Sequence, residues 1–448
     1  MKPTVRTLLE LAWPIVISRS TQVVVGVSDA VMVSHLGAAA LAATTTGALN
    51  AMALFILPMG TVFVVASFSS QLFGAGNLHA ARRYGWYGLM VAAATQVCGV
   101  LCIAFLPPVL ARFSYAPDVQ ASLAGYLALR LWSGGAVVGL EALANYYGGL
   151  GNTRLPMVAQ VAAMVLNVTG NWLLIDGHLG LPAMGVRGAA LSSVVSTTVA
   201  FVGLLAVFAA GGRQAAAGRL RLAELWRLLR FGLPSGLNWF LEFLAFLFFT
   251  NVVVAGLGTS AVAAFMSVIQ LSSAAFMPSF ALASAGAILV GQAIGAGRKD
   301  DVSHMVRVTF LSAGGWQALA GFFYLMVPGL LLAPFARDPD SAGPLLELAT
   351  RMLRLSVAWA LFDAAAATLS EALRAAGDTA WALWARVVIA WAVFAPGSWF
   401  TVNAVTAYAD LAAVGCLVLY LGLLAAALYL RFKSGAWRRI VLFEPSAH

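Results

Sequence analysis

Three carboxylates stand inside long apolar runs of the sequence, where hydrocarbon is expected. Asp29 lies in VVVGVSDAVMVSHLG, Glu242 in NWFLEFLAFLFF and Asp363 in WALFDAAAATLS. An acid in a membrane helix is costly unless it faces a protein-lined cavity, a partner or a proton. Because apolar surroundings favour the neutral form of a carboxyl, such acids suit the uptake and release of a proton, or its exchange for Na⁺. These residues therefore predict ion exchange inside a membrane.

Three asparagines accompany these acids. Asn167 and Asn171 are spaced i,i+4 on one face of a predicted helix, and Asn238 lies one turn before Glu242. Buried amides need hydrogen-bond partners, so the first pair either bridges helices or helps to bind Asp29 and its cation. Oxygen ligands suit Na⁺, whereas two carboxyls can also share a proton, so Glu242 and Asp363 predict either a Na⁺ site or a proton site. The predicted cation-coupling residues are Asp29, Glu242, Asp363, Asn167, Asn171 and Asn238.

A second group of polar residues predicts the lining of a cavity. Glu141 and Arg130 lie about three turns apart in one predicted helix, so they cannot pair directly, and Glu141 has no evident partner. Arg19 and Arg386 either neutralise acids on other helices or extend to the membrane surface. We therefore expect Glu141, Arg19 and Arg130 near a cavity.

No catalytic motif occurs, since HExxH, GxSxG and P-loop patterns are all missing from the sequence. The five histidines fall in predicted loops or at the C-terminus, which argues against a metal site or a proton relay deep in the membrane. We expect no enzyme activity and no cofactor, only a coupling ion, H⁺ or Na⁺.

Composition places these residues in an all-α polytopic membrane protein. Of 448 residues, 61% are hydrophobic and 10% are charged, against roughly 25% charged in soluble domains. A bilayer crossing needs about 20 apolar residues. Twelve spans follow, at roughly 8–33, 46–72, 84–106, 122–146, 157–176, 188–210, 231–256, 261–293, 308–332, 346–373, 380–402 and 410–430.

The basic residues that give the chain its net charge of +9 are concentrated on one side of the predicted membrane topology. One set of alternate loops holds most basic residues, among them Lys2 and Arg213, whereas the other set holds only Arg112, Arg187 and Arg337, with Arg351 and Arg354 just inside the tenth span. Basic loops face the cytoplasm, so both termini are expected there. The positive charge is thus explained without a nucleic-acid partner, and the expected surroundings are a lipid bilayer.

An internal repeat divides the chain. LAWP at 11–14 recurs as FGLP at 231–234, SHLGAAALAA at 34–43 as AGLGTSAVAA at 255–264, and QLFGAGN at 71–77 as QAIGAGR at 292–298. Matches in the same order and at a constant offset indicate duplication. Six spans per copy predict two six-helix bundles related by a pseudo-two-fold axis along the membrane normal. We expect the bundles at 1–210 and 231–448, joined by a cytoplasmic linker at 211–230 whose RLAELWRLLR forms a short amphipathic surface helix.

In order and spacing, four further motifs resemble the MATE (multidrug and toxic compound extrusion) transporters, in their NorM-like bacterial branch. The motifs are VGVSDAVMVSHLGAAALAA (25–43), YGGLGNTRLPM (147–157), LPSGLNWFLEF (233–243) and FDAAAATLSEALRAAGDT (362–379). The resemblance implies a V-shaped cavity between the bundles and an antiporter that exports amphipathic organic cations across the bacterial inner membrane in exchange for H⁺ or Na⁺. We expect it to act as a monomer.

The same resemblance assigns residues. Asp29 falls on the family's first-helix aspartate, Glu242 on its seventh-helix glutamate and Asp363 on its tenth-helix aspartate. The chain departs from the DinF-like pattern at Asn171, where those members have an aspartate, and from the tenth-helix pattern at Ala366 and Glu371. A lipid-linked oligosaccharide or lipid flippase and an uncoupled channel remain as alternative functions.

Overall fold

The computed structural model describes residues 4–113, 116–211, 219–335, 339–405 and 408–443, without the side chains of 339–342 and 344. Lys2, Arg213, Arg337 and positions 212–218 of the expected linker lie outside the described residues. Throughout the described ranges the regular structure is helical and no strand occurs. The helices are α1 Val5–Ser34, α2 Ala38–Val62, α3 Val64–Gly74, α4 Leu78–Leu110, α5 Pro117–Leu131, α6 Gly134–Gly149, α7 Arg154–Ile175, α8 Val186–Ala210, α9 Leu222–Phe248, α10 Thr259–Gly295, α11 Val302–Met326, α12 Pro328–Leu332, α13 Pro339–Ala376, α14 Thr379–Val387, α15 Ala395–Ala404 and α16 Ala409–Lys433.

Among the described residues, ten helical segments are long and apolar enough to cross a bilayer, and the total is twelve if each of two bent pairs is one span. The pair α5–α6 bends by 47°, and the pair formed by Lys299–Met326 and Pro328–Phe335 bends by 94°. Each predicted span overlaps one of these segments, because a run of about 20 apolar residues buries its own backbone polar groups only as a helix. The all-α membrane fold is confirmed.

The chain forms two compact units. The N-terminal unit is Pro14–Gly236, and the C-terminal unit combines Met1–Trp13 with Leu237–His448. Both boundaries fall inside helices, α1 and α9, at Pro14 and two residues after Pro234. Each unit has its own apolar core. Large members are Phe55, Leu123 and Tyr126 in the N-terminal unit, and Phe249, Phe265 and Phe394 in the C-terminal unit.

The internal repeat is visible in the backbone. Gly76 and Gly297 end matching helices with φ of 74° and 76°, and in both turns the following residue donates its N–H to the carbonyl five residues earlier, at 2.8 Å. This left-handed helix cap suits glycine because a Cβ is strained there. Gly37 and Gly258, which cap the N-termini of α2 and α10, have φ of 107° and 100°. The two copies therefore use the same turns.

Small residues let α9 approach α2 closely inside the N-terminal unit. A Cβ on Gly232 would lie 2.6 Å from the Thr61 carbonyl oxygen, and one on Gly236 would lie 2.5 Å from Thr61 Oγ1. The spacing is the small-xxx-small pattern by which membrane helices pack backbone to backbone.

The start of α9 corrects one expectation. RLAELWRLLR does not form a separate surface helix, because α9 runs without a break from Leu222 to Phe248. Glu224 holds the first turn against α4, since it accepts hydrogen bonds from Arg83 Nε and Nη2, each at 2.8 Å, and from Tyr87 Oη at 2.9 Å. With no glycine between positions 222 and 231, the helix continues into the membrane span.

Candidate functional sites

The first polar cluster joins α1, α7 and α8 of the N-terminal unit. Asp29 is 8% exposed, and Asn171 Nδ2 donates to its Oδ1 at 2.5 Å. Ser193 Oγ donates to Asp29 Oδ2 at 3.5 Å and itself accepts from Asn167 Nδ2 at 3.0 Å. We call Asp29, Asn167, Asn171 and Ser193 the Asp29 cluster. Three of its members were predicted together, and Ser193 was missed because LSSVVS resembles ordinary small-residue helix packing.

One acceptor of the Asp29 cluster is unused. Asn171 Nδ2 also lies 3.4 Å from Asn167 Oδ1, whereas the buried Oδ1 of Asn171 has no hydrogen-bond partner among the described residues. A buried polar atom without a partner is costly. The sequence left open whether the two amides bridge helices or serve Asp29, and the structure places Asn171 directly on the carboxylate.

Arg130, on α5, lies near enough to the Asp29 cluster for the two charges to interact. Its charge interacts with Asp29, and its buried Nε has no hydrogen-bond partner among the residues described. The predicted fourth span is broken, because α5 ends at Leu131 and α6 begins at Gly134. Arg130 and Glu141 therefore stand on different helices, α5 and α6, and do not share one as expected.

Glu141 has a partner that the sequence did not reveal. Arg19 Nη2 lies 2.8 Å from Glu141 Oε1, Arg19 Nη1 donates to Oε2 at 3.4 Å, and Asn145 Nδ2 donates to Oε1 at 3.1 Å. The Arg19 guanidinium also sits over the Phe63 ring, 5.6 Å from its centroid. Arg19 therefore neutralises an acid on another helix, which is one of the two alternatives that the sequence left open. The sequence did not identify Glu141 as that acid, because the partners are 122 positions apart and helical periodicity within α6 carries no information about α1.

The second polar cluster joins α9, α14 and α16 of the C-terminal unit. Arg386, 8% exposed in its side chain, forms an ion pair with Glu242. Its Nε donates to Asn238 Oδ1 at 2.8 Å, and its Nη1 donates to Tyr420 Oη at 3.4 Å. We call Asn238, Glu242, Arg386 and Tyr420 the Arg386 cluster. The sequence placed Asn238 beside Glu242 but did not identify Tyr420 as a partner.

Asp363, on α13, lies beside this cluster. Its charge interacts with those of Glu242 and Arg386, and no described residue forms a hydrogen bond or ion pair with it. Two carboxylates therefore interact with one guanidinium, so with both acids ionised the group carries one surplus negative charge. Glu242 keeps 39% of its side chain accessible, which makes it more open than Arg386.

Both helices that carry the Glu242–Arg386 pair continue into π-helical segments. These are Phe249–Val254 after α9 and Val388–Phe394 after α14. The rings of Phe249 and Phe394 lie 5.1 Å apart, so the two segments pack against each other. Wide helical turns are uncommon and occur frequently at functional sites. Nothing in the sequence predicted them.

Comparison with known sequences decides the family. The profile of the MatE family matches residues 14–173 and 234–399, which together make up most of the chain and include Asp29, Glu242 and Asp363. The chain belongs to the MatE family. The resemblance to MATE transporters is thereby confirmed, and this MatE protein is a membrane transporter, not an enzyme.

Relatives match over most of their length. The chain is 29% identical to the "Probable multidrug resistance protein NorM" of Pseudomonas putida over 405 residues, which cover 88% of this chain and 87% of that protein. It is 26% identical to the "Multidrug resistance protein NorM" of Burkholderia vietnamiensis over 401 residues, with coverage of 88% and 86%. The Vibrio cholerae MATE transporter VcmN in its bent form superposes with a TM-score of 0.82 at 19% identity, covering 96% of both chains, which shows a shared fold.

Proposed function

We propose that this MatE protein is a cation-coupled multidrug antiporter that exports amphipathic organic cations across the bacterial inner membrane, with both termini in the cytoplasm. Its relatives of similar length carry multidrug resistance names, which supports an efflux transporter. The basic loops support the orientation. The observation that carries the coupling is the surplus carboxylate of Asp363 beside the Glu242–Arg386 pair.

The proposed mechanism is competition for carboxylates. An incoming H⁺ or Na⁺ and an organic cation both neutralise the same negative charge, so the arrival of one favours the release of the other. Moving one charge across about 100 mV supplies about 2.3 kcal/mol, to which an ion gradient adds. The Asp29 cluster offers a second position for such exchange, since it combines a buried acid with the unpartnered Oδ1 of Asn171.

The test is ethidium efflux from proteoliposomes in which proton and sodium gradients are imposed separately. We expect one gradient to drive efflux, and we expect Glu242→Gln and Asp363→Asn to abolish it because each changes the charge balance of the C-terminal unit. Asp29→Asn examines the N-terminal unit in the same assay. Efflux that continues unchanged in both C-terminal variants rejects that site, and unchanged efflux in Asp29→Asn rejects the N-terminal one.

Matched controls come from exposed acids. Asp118 is exposed, and Glu347 forms an ion pair with Arg351 four residues later, with its own side chain 67% exposed. Asp118→Asn and Glu347→Gln make the same chemical changes away from both clusters, so they should leave efflux unchanged. If efflux had the same rate with the proton gradient, with the sodium gradient and with no gradient, and if substrate counterflow did not occur, the protein would be a channel. That result would contradict the proposal.

A further inference from the structure

The charge of the C-terminal unit is compensated from within by an arginine. Arg386 is almost fully buried, and an arginine stays protonated at any physiological pH. Two neutral groups orient it, because Asn238 Oδ1 accepts from Nε and Tyr420 Oη accepts from Nη1. The guanidinium is thus held in place and ion-paired to Glu242.

The charged and titratable groups near this arginine come from four helices. Glu242 lies on α9, Asp363 on α13, Arg386 itself on α14 and Tyr420 on α16. Tyr420 is neutral near pH 7, so the balance consists of two carboxylates and one guanidinium. Glu242 and Asp363 are only partly buried, but both lie inside membrane helices, where an uncompensated charge is costly, and one further cation neutralises the group.

We infer that Arg386 is a built-in counter-cation that limits the C-terminal site to one exchangeable cation, held at Asp363. Glu242 is neutralised by Arg386 and needs no external ion, whereas Asp363 has no hydrogen bond or ion pair among the described residues and takes the external one. The number of exchangeable cations equals the number of carboxylates in the site minus the number of guanidinium groups, which is two minus one. The inference rests on the proposed function in that this cation is taken as the coupling ion.

The count makes different predictions for four variants. Asp363→Asn leaves Glu242 with Arg386 and no exchangeable cation. Glu242→Gln also leaves none, because the freed guanidinium then neutralises Asp363. Arg386→Gln exposes two carboxylates and holds two cations, and the double variant Glu242→Gln with Arg386→Gln returns to one. A purely structural role for Arg386 predicts no such restoration, because the double variant lacks both partners of the ion pair.

Infrared difference spectroscopy between acidic and basic pH measures this count in purified protein in lipid, without Na⁺ and without drug. The carboxylic C=O band of each variant is compared with that of the wild type. We expect a loss of one carboxyl in Asp363→Asn and in Glu242→Gln, a gain of one in Arg386→Gln, and wild-type intensity in the double variant. Arg386→Lys keeps the charge and should keep the wild-type intensity, which controls for side-chain replacement.

Two results overturn the inference. One is a double variant that retains the loss of carboxyl band seen in Glu242→Gln, and the other is an Arg386→Gln spectrum with no gain in that band. If Arg386→Gln does not fold, the Glu242→Gln spectrum alone decides, since an unchanged carboxyl band in that variant contradicts the count. The spectra require no transport. A chain that follows the count but moves no drug overturns the proposed function only, and a chain that exports drug without following it overturns the inference only.

Discussion

Asn171 donates a hydrogen bond from Nδ2 to Asp29 Oδ1 at 2.5 Å, although the two residues are 142 positions apart in the chain. The same amide presents its Oδ1 inside the N-terminal unit without a partner among the described residues. One side chain therefore provides a donor to the acid and keeps an unused acceptor beside it. This arrangement depends on the amide, because an aspartate at position 171 would offer no donor while ionised.

The hydrogen bond to Asp29 should be measurable in stability. Asn171→Ala removes the shortest hydrogen bond to the buried Asp29 carboxylate. We expect this loss to lower the free energy of unfolding by about 1–3 kcal/mol. Thermal unfolding in detergent measures the change. Asn251→Ala is the matched control, because Asn251 is exposed and its Nδ2 donates to the Leu247 carbonyl oxygen four residues earlier in the same helical run. Equal losses in the two variants would contradict a special role for the contact.

The close approach of α9 to α2 predicts sensitivity at Gly236. An added methyl group would meet Thr61 Oγ1 at 2.5 Å, so we expect Gly236→Ala to cost about 1–3 kcal/mol through overpacking. Gly203→Ala places the same methyl group where no atom lies within 4 Å, and it should be neutral or slightly stabilising. Melting temperatures of the two variants in detergent compare them. A Gly236→Ala protein as stable as Gly203→Ala would show that α9 shifts without cost.

The Arg19–Glu141 pair is balanced, so we expect it to support structure without exchanging ions. Glu141→Gln alone should lower the free energy of unfolding by about 2 kcal/mol, since a largely buried guanidinium loses its charged partner. The double variant Arg19→Gln with Glu141→Gln should recover drug efflux relative to either single variant.

The control for this pair is the exposed ion pair Arg6–Glu10, with side chains 88% and 57% accessible. Glu10→Gln should change stability by no more than about 0.5 kcal/mol. Efflux that is lost in the double variant at Arg19 and Glu141, while the protein folds normally, would assign these residues to the transport cycle and contradict the prediction.

The contacts of Glu224 should stabilise the first turns of α9 against local unfolding. Its carboxylate accepts from Arg83 and Tyr87, so Glu224→Ala removes the contacts that hold residues 222–228 against α4. We expect faster amide hydrogen exchange there, by about tenfold, which corresponds to about 1.4 kcal/mol of local stability. Glu347→Ala is the control, because the ion pair of Glu347 with Arg351 lies on the exposed surface of its own helix. Unchanged exchange at 222–228 would show that α9 is stable without the contact.

The sequence alone determined the elements and much of the candidate site. Twelve apolar runs predicted twelve spans, because burying a backbone in lipid leaves a helix as the way to satisfy its polar groups. The i,i+4 spacing placed Asn167 and Asn171 on one face, and the one-turn spacing placed Asn238 beside Glu242. Repeated glycines predicted repeated turns, since a positive φ is a local property of the backbone. All of these signals act within a few residues.

Only the tertiary structure decided which charges meet. Helical periodicity gives the face of a residue on its own helix but not the neighbour that this face contacts, so the pairs Arg19–Glu141 and Arg386–Glu242 were not predicted. The π-helical segments after α9 and α14 also escaped prediction, because packing between helices, and not local propensity, widens a helical turn. The number of uncompensated acids, on which ion exchange depends, is therefore a property of the folded chain, since it is set by contacts between residues more than 100 positions apart.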